Sequence, residues 1–125
     1  MILGIGTDIF DVARIERELQ KDDRGMVDTV FSAAEIAYCD SRHYPALHYA
    51  ARFAAKEAVV KALSAGGESG LYLADVEIVR EDGGQPRMVL HGRLEAIAAR
   101  LQVTRIHVSL SHTHELATAF VIIES

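Results

Sequence analysis

The chain has 125 residues, of which half are apolar and a quarter are charged, values typical of one globular domain. The net charge of −5 argues against general nucleic-acid binding, and the apolar runs are too short to cross a bilayer. The first residues lack the basic region of a signal peptide and Cys39 is the one cysteine, so we expect a cytoplasmic protein without an internal disulfide.

The first strand is predicted over residues 2–9, where the two faces of the sequence alternate. One face carries branched side chains, and the other is nearly bare apart from the carboxylate of Asp8. Glycine in a strand often marks the close approach of a ligand or of another backbone. Asp8 is therefore either a functional carboxylate or the N-cap of the following helix, for which Asp11 is also suited.

An amphipathic helix is predicted from Asp11 to about Arg24, because apolar residues recur at every third or fourth position. Basic residues with the same spacing predict a basic stripe on this helix: Arg14, Arg17, Lys21 and Arg24. The alternative is an ordinary solvated face. Two aspartates and a glycine at residues 22–25 leave the end of the helix open, so Arg24 can lie beyond it.

A second helix is predicted after Ser32, because Ser32 and Glu35 have the spacing of a capping box. This helix should end near Ser41, and Pro45 separates it from a third helix that begins near Ala46.

The third helix is rich in alanine and carries a stripe of small residues on one side: Ala51, Ala54, Ala55, Ala58 and Ala62. Glu57 and Lys61 lie along one border of the stripe, and Arg52 and Lys56 lie along the other. The stripe lets the helix pack closely on a neighbour. The simple interpretation of Glu57 and Lys61 is a solvated salt bridge, worth a few tenths of a kcal/mol.

The remaining pattern predicts a glycine-rich loop, two hairpin strands, a short helix and two further strands: residues 66–70, 76–80, 87–91, 94–101, 106–111 and 116–123. The last strand is apolar on both faces, so it should be central in its sheet or covered. The turn before it has the sequence His112-Thr113-His114-Glu115.

Asp8 and Glu57 are two carboxylates without a cysteine ligand or a paired-histidine spacing, and such a set suits a hard cation such as Mg²⁺. Lysine and arginine side chains beside such an ion suit phosphate groups.

Three segments resemble the holo-acyl-carrier-protein synthases, which are small phosphopantetheinyl transferases: GIGTDI at 4–9, ARFAAKEAVVKAL at 51–63 and HVSLSHTHELATA at 107–119. The resemblance runs from Met1 to the last strand. It implies one α+β domain over residues 1–125, with an antiparallel sheet packed against the long alanine-rich helix, assembled as a homotrimer with active sites between subunits. The implied reaction moves 4′-phosphopantetheine from coenzyme A to a serine of an apo acyl carrier protein, for fatty-acid or polyketide synthesis, and leaves adenosine 3′,5′-bisphosphate.

The resemblance also implies roles for residues. Asp8 and Glu57 match the positions that bind Mg²⁺, and Lys61 matches the lysine at the pyrophosphate. The nucleotide end of coenzyme A, including its 3′-phosphate, is expected at Arg52, Lys56, His112 and Thr113. Arg14 matches the basic first helix that receives an acidic helix of the carrier protein, and Arg17, Lys21 and Arg24 continue that surface.

Several alternatives stay open. The base that accepts the serine proton is Glu57 or a water held by Asp8 or Glu57. His112 is either a ligand of the nucleotide or a turn histidine bonded to the backbone. The chain is either the enzyme, a nucleotide-binding or carrier-binding module without turnover, or a structural α+β oligomer, and the combination of Asp8, Glu57 and Lys61 favours the enzyme. We expect no nucleic-acid or membrane partner.

Overall fold

The computed structural model describes residues 1–64, 72–80 and 84–125. Its elements are, in chain order, β1 (Ile2–Asp11), α1 (Val12–Leu19), α2 (Gly25–Val30), α3 (Ala33–Asp40), α4 (Pro45–Ala62), a 3-10 turn (Leu73–Asp75), β2 (Val76–Arg80), β3 (Pro86–Leu90), α5 (Gly92–Arg100), β4 (Arg105–His112) and β5 (Leu116–Glu124). The predicted glycine-rich loop at 66–70 lies outside the described residues, as does part of the hairpin connection. Within the described ranges, no helix has the length and hydropathy needed to span a membrane.

The strands form two antiparallel sheets, one with the order β1-β5-β4 and one made of β2 and β3. β5 is the central strand of the larger sheet, which confirms the prediction from its two apolar faces. Asp8 pairs with Ala119 and His112 pairs with Ala117, so both polar residues lie toward the same end of this sheet.

Helix α4 packs on one face of the larger sheet at very short range. The five alanines of its stripe are each at most 5% exposed. A Cβ atom added to Gly4 would lie 2.2 Å from the Ala62 carbonyl oxygen, and one added to Gly6 would lie 1.9 Å from that of Ala58. The glycines of β1 therefore mark the approach of another backbone, which was one of the two alternatives for them.

Part of the other face of the same sheet is apolar and open, around the exposed side chain of Thr7. Ile5 is 60% exposed, Ile9 is 62% exposed and Phe120 is 43% exposed. These three side chains belong to β1 and β5, so they form a continuous surface across neighbouring strands.

Two helix starts follow the predicted capping. Asp11 is the N-cap of α1, and its carboxylate accepts a hydrogen bond of 3.0 Å from the backbone N–H of Ala13, so Asp8 does not cap this helix. Ser32 and Glu35 form the predicted capping box at α3, with the Glu35 N–H donating to Ser32 Oγ over 3.1 Å.

The first helix is shorter than predicted. It ends at Leu19, and a separate short helix begins at Gly25. The intervening residues include two aspartates, whose side chains compete with helical hydrogen bonds. Lys21 consequently lies outside α1, which corrects its predicted place on this helix, and Arg24 lies beyond α1, which was the alternative left open for it.

Candidate active site

Asp8 and Lys61 meet at one edge of the contact between β1 and α4. Lys61 Nζ lies 2.9 Å from Asp8 Oδ1 and donates a second hydrogen bond of 3.1 Å to the Thr7 carbonyl oxygen. The Asp8 side chain is 16% exposed and that of Lys61 is 51% exposed. The bare face of β1 lets α4 approach closely enough for this pair to form.

Glu57 lies one helical turn before Lys61 on the same border of α4 and is half-buried. No group of three or more histidine, cysteine, aspartate or glutamate side chains in the described ranges is arranged to hold a metal ion. A divalent cation at Asp8 and Glu57 would therefore complete its coordination with water and phosphate oxygens. That donor set fits Mg²⁺, which keeps several waters and prefers oxygen ligands.

Two arginine side chains and a histidine ring surround the ring of Tyr38. The guanidinium carbon of Arg52 lies 4.2 Å from the ring centroid, that of Arg42 lies 5.3 Å from it, and the His48 ring lies edge-on at 5.9 Å. Arg52 is 3% exposed, and its Nε has no hydrogen-bond partner in the described part of the chain. Arg52, Tyr38 and Arg80 line a cavity of about 130 Å³ together with Glu77 and small or apolar residues.

The pKa of His48 indicates that several positively charged side chains lie close to it. Burial lowers the pKa of His48, and repulsion from Arg52, Arg42, His112 and Arg80 lowers it further. These residues come from α4, the connection before it, β4 and β2. We refer to Tyr38 together with these five side chains as the Tyr38 cluster, an electropositive surface suited to phosphate.

The turn between β4 and β5 is organised by Thr113. Its Oγ1 accepts hydrogen bonds from the N–H groups of Glu115 and Leu116, at 3.2 and 3.1 Å. His112 is exposed at the end of β4 beside this turn. Thr113, and not His112, closes the turn onto the backbone.

Lys56 does not reach this site, which corrects its assignment to the coenzyme. Its side chain is fully buried, and Nζ lies 2.9 Å from Glu35 Oε1. Burial lowers the pKa of the Lys56 ammonium, while the Glu35 carboxylate opposes that effect. Helix α3 and strand β2 cover the side of α4 from which Lys56 projects, so no ligand phosphate reaches it in this arrangement.

The basic surface of α1 is smaller than predicted. Arg14 and Arg17 are exposed on α1, and the guanidinium carbon of Arg14 lies 4.9 Å from the ring centroid of Phe10. Lys21 is exposed beyond the helix and pairs with Glu18.

Arg24 is bound elsewhere. Its Nη2 donates to Tyr49 Oη at 2.9 Å and approaches Asp40 Oδ1 at 3.4 Å. Its guanidinium is thus engaged by two side chains of the protein, while the Arg24 side chain stays 32% exposed, so its place in the docking stripe stays a prediction.

The sequence profile of the 4′-phosphopantetheinyl transferase superfamily matches residues 4–121. The chain belongs to this superfamily. This transferase is 47% identical over 124 residues to the holo-[acyl-carrier-protein] synthase of Moorella thermoacetica, covering 99% of the chain and 95% of that protein. It is 44% identical over 124 residues to that of Syntrophus aciditrophicus, covering 99% and 97%. It is therefore an enzyme of the holo-[acyl-carrier-protein] synthase type, as the resemblance implied.

Solved structures agree with the fold of the transferase. The holo-[acyl-carrier-protein] synthase of Neisseria meningitidis matches with a TM-score of 0.87 and 29% identity, over 100% of both chains. That of Helicobacter pylori, in complex with coenzyme A, matches with a TM-score of 0.81 and 28% identity, over 96% of this chain and 99% of the other.

Three members of the Tyr38 cluster were missed from the sequence. His48 lies four residues before Arg52, and Arg42 lies four residues after Tyr38, so helical spacing carries a signal for both. Arg80 carries no such signal, because it joins the cluster only through the position of β2.

Proposed function

We propose that this transferase moves the 4′-phosphopantetheine group of coenzyme A to a serine hydroxyl of an apo acyl carrier protein, with residues 1–125 acting as one domain. The released product is adenosine 3′,5′-bisphosphate, and the reaction serves fatty-acid or polyketide synthesis in the cytoplasm. One observation carries the proposal: the pair of Asp8 and Lys61 lies one helical turn from Glu57. Further support comes from the Helicobacter pylori relative, whose structure is a complex with coenzyme A.

The Tyr38 cluster binds the nucleotide end of coenzyme A. Arg52 Nε is buried and has no hydrogen-bond partner among the described residues, so a phosphate oxygen satisfies a donor that is otherwise costly to bury. Stacking on the Tyr38 ring orients Arg42 and Arg52 in advance, which lowers the entropy lost when a phosphate binds. His112 and Thr113 complete the site from the neighbouring turn.

The pyrophosphate lies between the two borders of α4. Asp8 and Glu57 are the residues proposed to hold Mg²⁺, which neutralises phosphate charge and orients the attack when it is bound. Lys61 Nζ already lies at Asp8, and its ammonium stabilises the phosphate oxygen that leaves with the nucleotide.

The transfer forms one bond between the serine oxygen and phosphorus, and it breaks the bond from that phosphorus to the bridging oxygen. The bridging oxygen leaves with the 5′-phosphate of adenosine 3′,5′-bisphosphate. The serine proton goes to the Glu57 carboxylate or to a water that Asp8 or Glu57 holds.

The carrier protein docks on α1 through an acidic helix. Arg14 and Arg17 are exposed there, and Lys21 adds charge just beyond the helix. The ring of Phe10 holds the Arg14 guanidinium in place, which reduces the entropy it loses on docking. Such contacts act mainly on the rate and specificity of encounter.

The active unit is a homotrimer with coenzyme A at the subunit boundary. The open apolar face formed by Ile5, Ile9 and Phe120 supports this assembly, because soluble proteins rarely leave a continuous apolar surface exposed. Light scattering at working concentration tests it, and a monomeric mass contradicts it.

The decisive experiment incubates the protein with coenzyme A, Mg²⁺ and an apo carrier protein and then weighs the carrier by mass spectrometry. We expect the mass of one phosphopantetheine to be added. Asp8→Ala and Glu57→Ala should each abolish this gain while the circular dichroism spectrum stays native. Binding of coenzyme A without transfer indicates a binding module, and neither binding nor transfer indicates a structural protein.

A further inference from the structure

Lys56 and Glu35 form a buried ion pair that the proposed chemistry does not use. The ammonium group of Lys56 has three contacts within the protein. Nζ lies 2.9 Å from Glu35 Oε1, donates to the Val76 carbonyl oxygen, and lies 5.2 Å from the centroid of the Phe31 ring. Both side chains of the pair have no exposed surface.

Glu35 connects this pair to two other elements. Its Oε1 also accepts a hydrogen bond of 2.8 Å from the N–H of Ser32, and its Oε2 accepts one of 3.0 Å from the N–H of Ile78. One carboxylate thus joins α4 to the start of α3 and to β2. We call Lys56, Glu35 and these backbone groups the Lys56 node.

Stability alone is a poor explanation for the node. Removing two charges from water is costly, and replacing a buried ion pair with apolar side chains of similar volume is often neutral or stabilising. Buried ionic groups are better explained where they specify one arrangement among several.

The contact between α4 and the sheet leaves such an arrangement open. Its centre consists of alanine side chains of α4 and the glycines of β1, while the Phe10 and Phe53 rings meet at 4.3 Å and Lys61 pairs with Asp8 along the same contact. Interlocking side chains normally fix how a helix is turned against its neighbour. The alanine and glycine part of the contact offers little interlocking, so directional contacts decide the rotation of α4. The Phe10–Phe53 and Lys61–Asp8 contacts hold the helix from the sheet side, and the node holds it from the side that α3 and β2 cover.

We propose that the Lys56 node is a positioning device that fixes the rotation of α4 and thereby aims Glu57 and Lys61 at Asp8. This inference rests on the proposed function. Lys56 and Glu57 are adjacent and project 100° apart around the same rigid helix. A rotation of the helix that moves Lys56 therefore moves Glu57 by the same angle. A carboxylate about 6 Å from the helix axis moves about 2 Å when the helix turns by about 20°.

The same rotation moves Arg52 against Tyr38, so coenzyme binding depends on the node as well as turnover. A misplacement of about 1 Å in an active site lowers rates by about 100-fold. Loss of the node is therefore expected to reduce kcat by about 10- to 100-fold and to weaken coenzyme A binding. Docking of the carrier protein on α1 is independent of the node, so the KM for the carrier stays within twofold.

The test uses the double variant Lys56→Met/Glu35→Gln, which removes both charges together and keeps a residue able to form a capping box at position 35. Lys56→Arg is the conservative variant, because it retains a charge opposite Glu35. Val59→Ala is the matched control, since Val59 is fully buried on the same helix and lies outside the node. Urea unfolding, transfer kinetics and calorimetric binding of coenzyme A are measured for all of them.

We expect the urea midpoint of the double variant to equal or exceed that of Val59→Ala. The double variant should nevertheless show the lower kcat and a raised Kd for coenzyme A. Lys56→Arg should recover at least half of the lost activity on a logarithmic scale. The proposal is overturned if the double variant keeps kcat and Kd within twofold of the native protein, or if Val59→Ala loses as much.

If the unsubstituted protein binds coenzyme A but does not transfer its phosphopantetheine, the proposed function is refuted. The comparison of Kd values for coenzyme A between the variants and the unsubstituted protein then tests the node. If the double variant does not fold, the single variant Glu35→Gln, which keeps Lys56 and a residue able to form the capping box, decides in the same way. Native stability with a changed kcat or Kd supports the node, and unchanged kinetics with changed stability overturns it.

Discussion

Gly6→Ala tests the contact between β1 and α4 directly. The added Cβ atom would lie 1.9 Å from the Ala58 carbonyl oxygen, and real Cβ atoms essentially never come closer than 3.0 Å. The two backbones must therefore separate by at least 1.1 Å, the difference between these distances. No side chain can yield at this point, because both contacting groups are part of the main chain.

The expected loss of stability combines two effects. Overpacking in a tight core costs about 1–3 kcal/mol, and replacing glycine with alanine returns about 0.4–1 kcal/mol by restricting the unfolded chain. We expect Gly6→Ala to lower the free energy of unfolding by about 1–2 kcal/mol. Because the separation also draws Lys61 away from Asp8, kcat should fall by about 100-fold.

Urea unfolding followed by circular dichroism measures the first effect, and mass-spectrometric transfer kinetics measure the second. Gly25→Ala is the control, because its Cβ would lie 3.2 Å from the flexible carboxylate of Asp23, which can move aside. The control should keep native activity. A Gly6→Ala protein with the native urea midpoint and the native rate would refute the argument that the contact is too close for a side chain.

Three further predictions concern docking, pH and thiol chemistry. Arg14→Glu should raise the KM for the carrier protein by at least about tenfold, or about 1.4 kcal/mol, with the KM for coenzyme A unchanged; Arg100→Glu, an equal charge change on α5, should alter neither value in the same steady-state kinetics. The hydrogen bond from Ser32 lowers the pKa of Glu77, so this carboxylate contributes stability above its unfolded pKa of 4.5 that is lost as pH falls through the folded pKa. Thermal melts across acidic pH should show a shallower decline for Glu77→Gln, and an unchanged slope would contradict this account. Burial raises the pKa of the Cys39 thiol to about 12, so an aromatic disulfide reagent at pH 8 should label it only after urea unfolding, and rapid labelling of the native protein would contradict that.

Local signals in the sequence predicted most of the elements. These signals lie within short stretches whose own residues largely determine the local structure. Examples are the alternation in the first strand, the capping box at Ser32 and Glu35, and the two apolar faces of β5. The extent of α1 could not be predicted equally well, because Lys21 has the spacing of a helical residue although the chain ends its helix at Leu19.

Long-range packing decided the predictions that failed. A helical projection shows that Lys56 points away from Glu57, but it does not show that α3 and β2 cover that side. Glu35 and Ile78, which enclose Lys56 in the node, lie about 20 residues away on opposite sides in the sequence. Arg80 entered the candidate site for the same reason, through the placement of β2.

The tight contact between β1 and α4 limits how the chain can be recombined with its relatives. Residues 4–9 and 51–63 are distant in sequence, yet they face each other with backbone against backbone at Gly6 and Ala58. A core of large side chains accommodates foreign sequence by repacking, whereas the Gly6–Ala58 contact is main chain against main chain and has no side chain that can move. Chimeras with relatives that share 44–47% identity should therefore fold best when both segments come from the same parent. A crossover between the two segments will combine a strand from one parent with a helix from the other, and the distance at which each packs can differ between the parents.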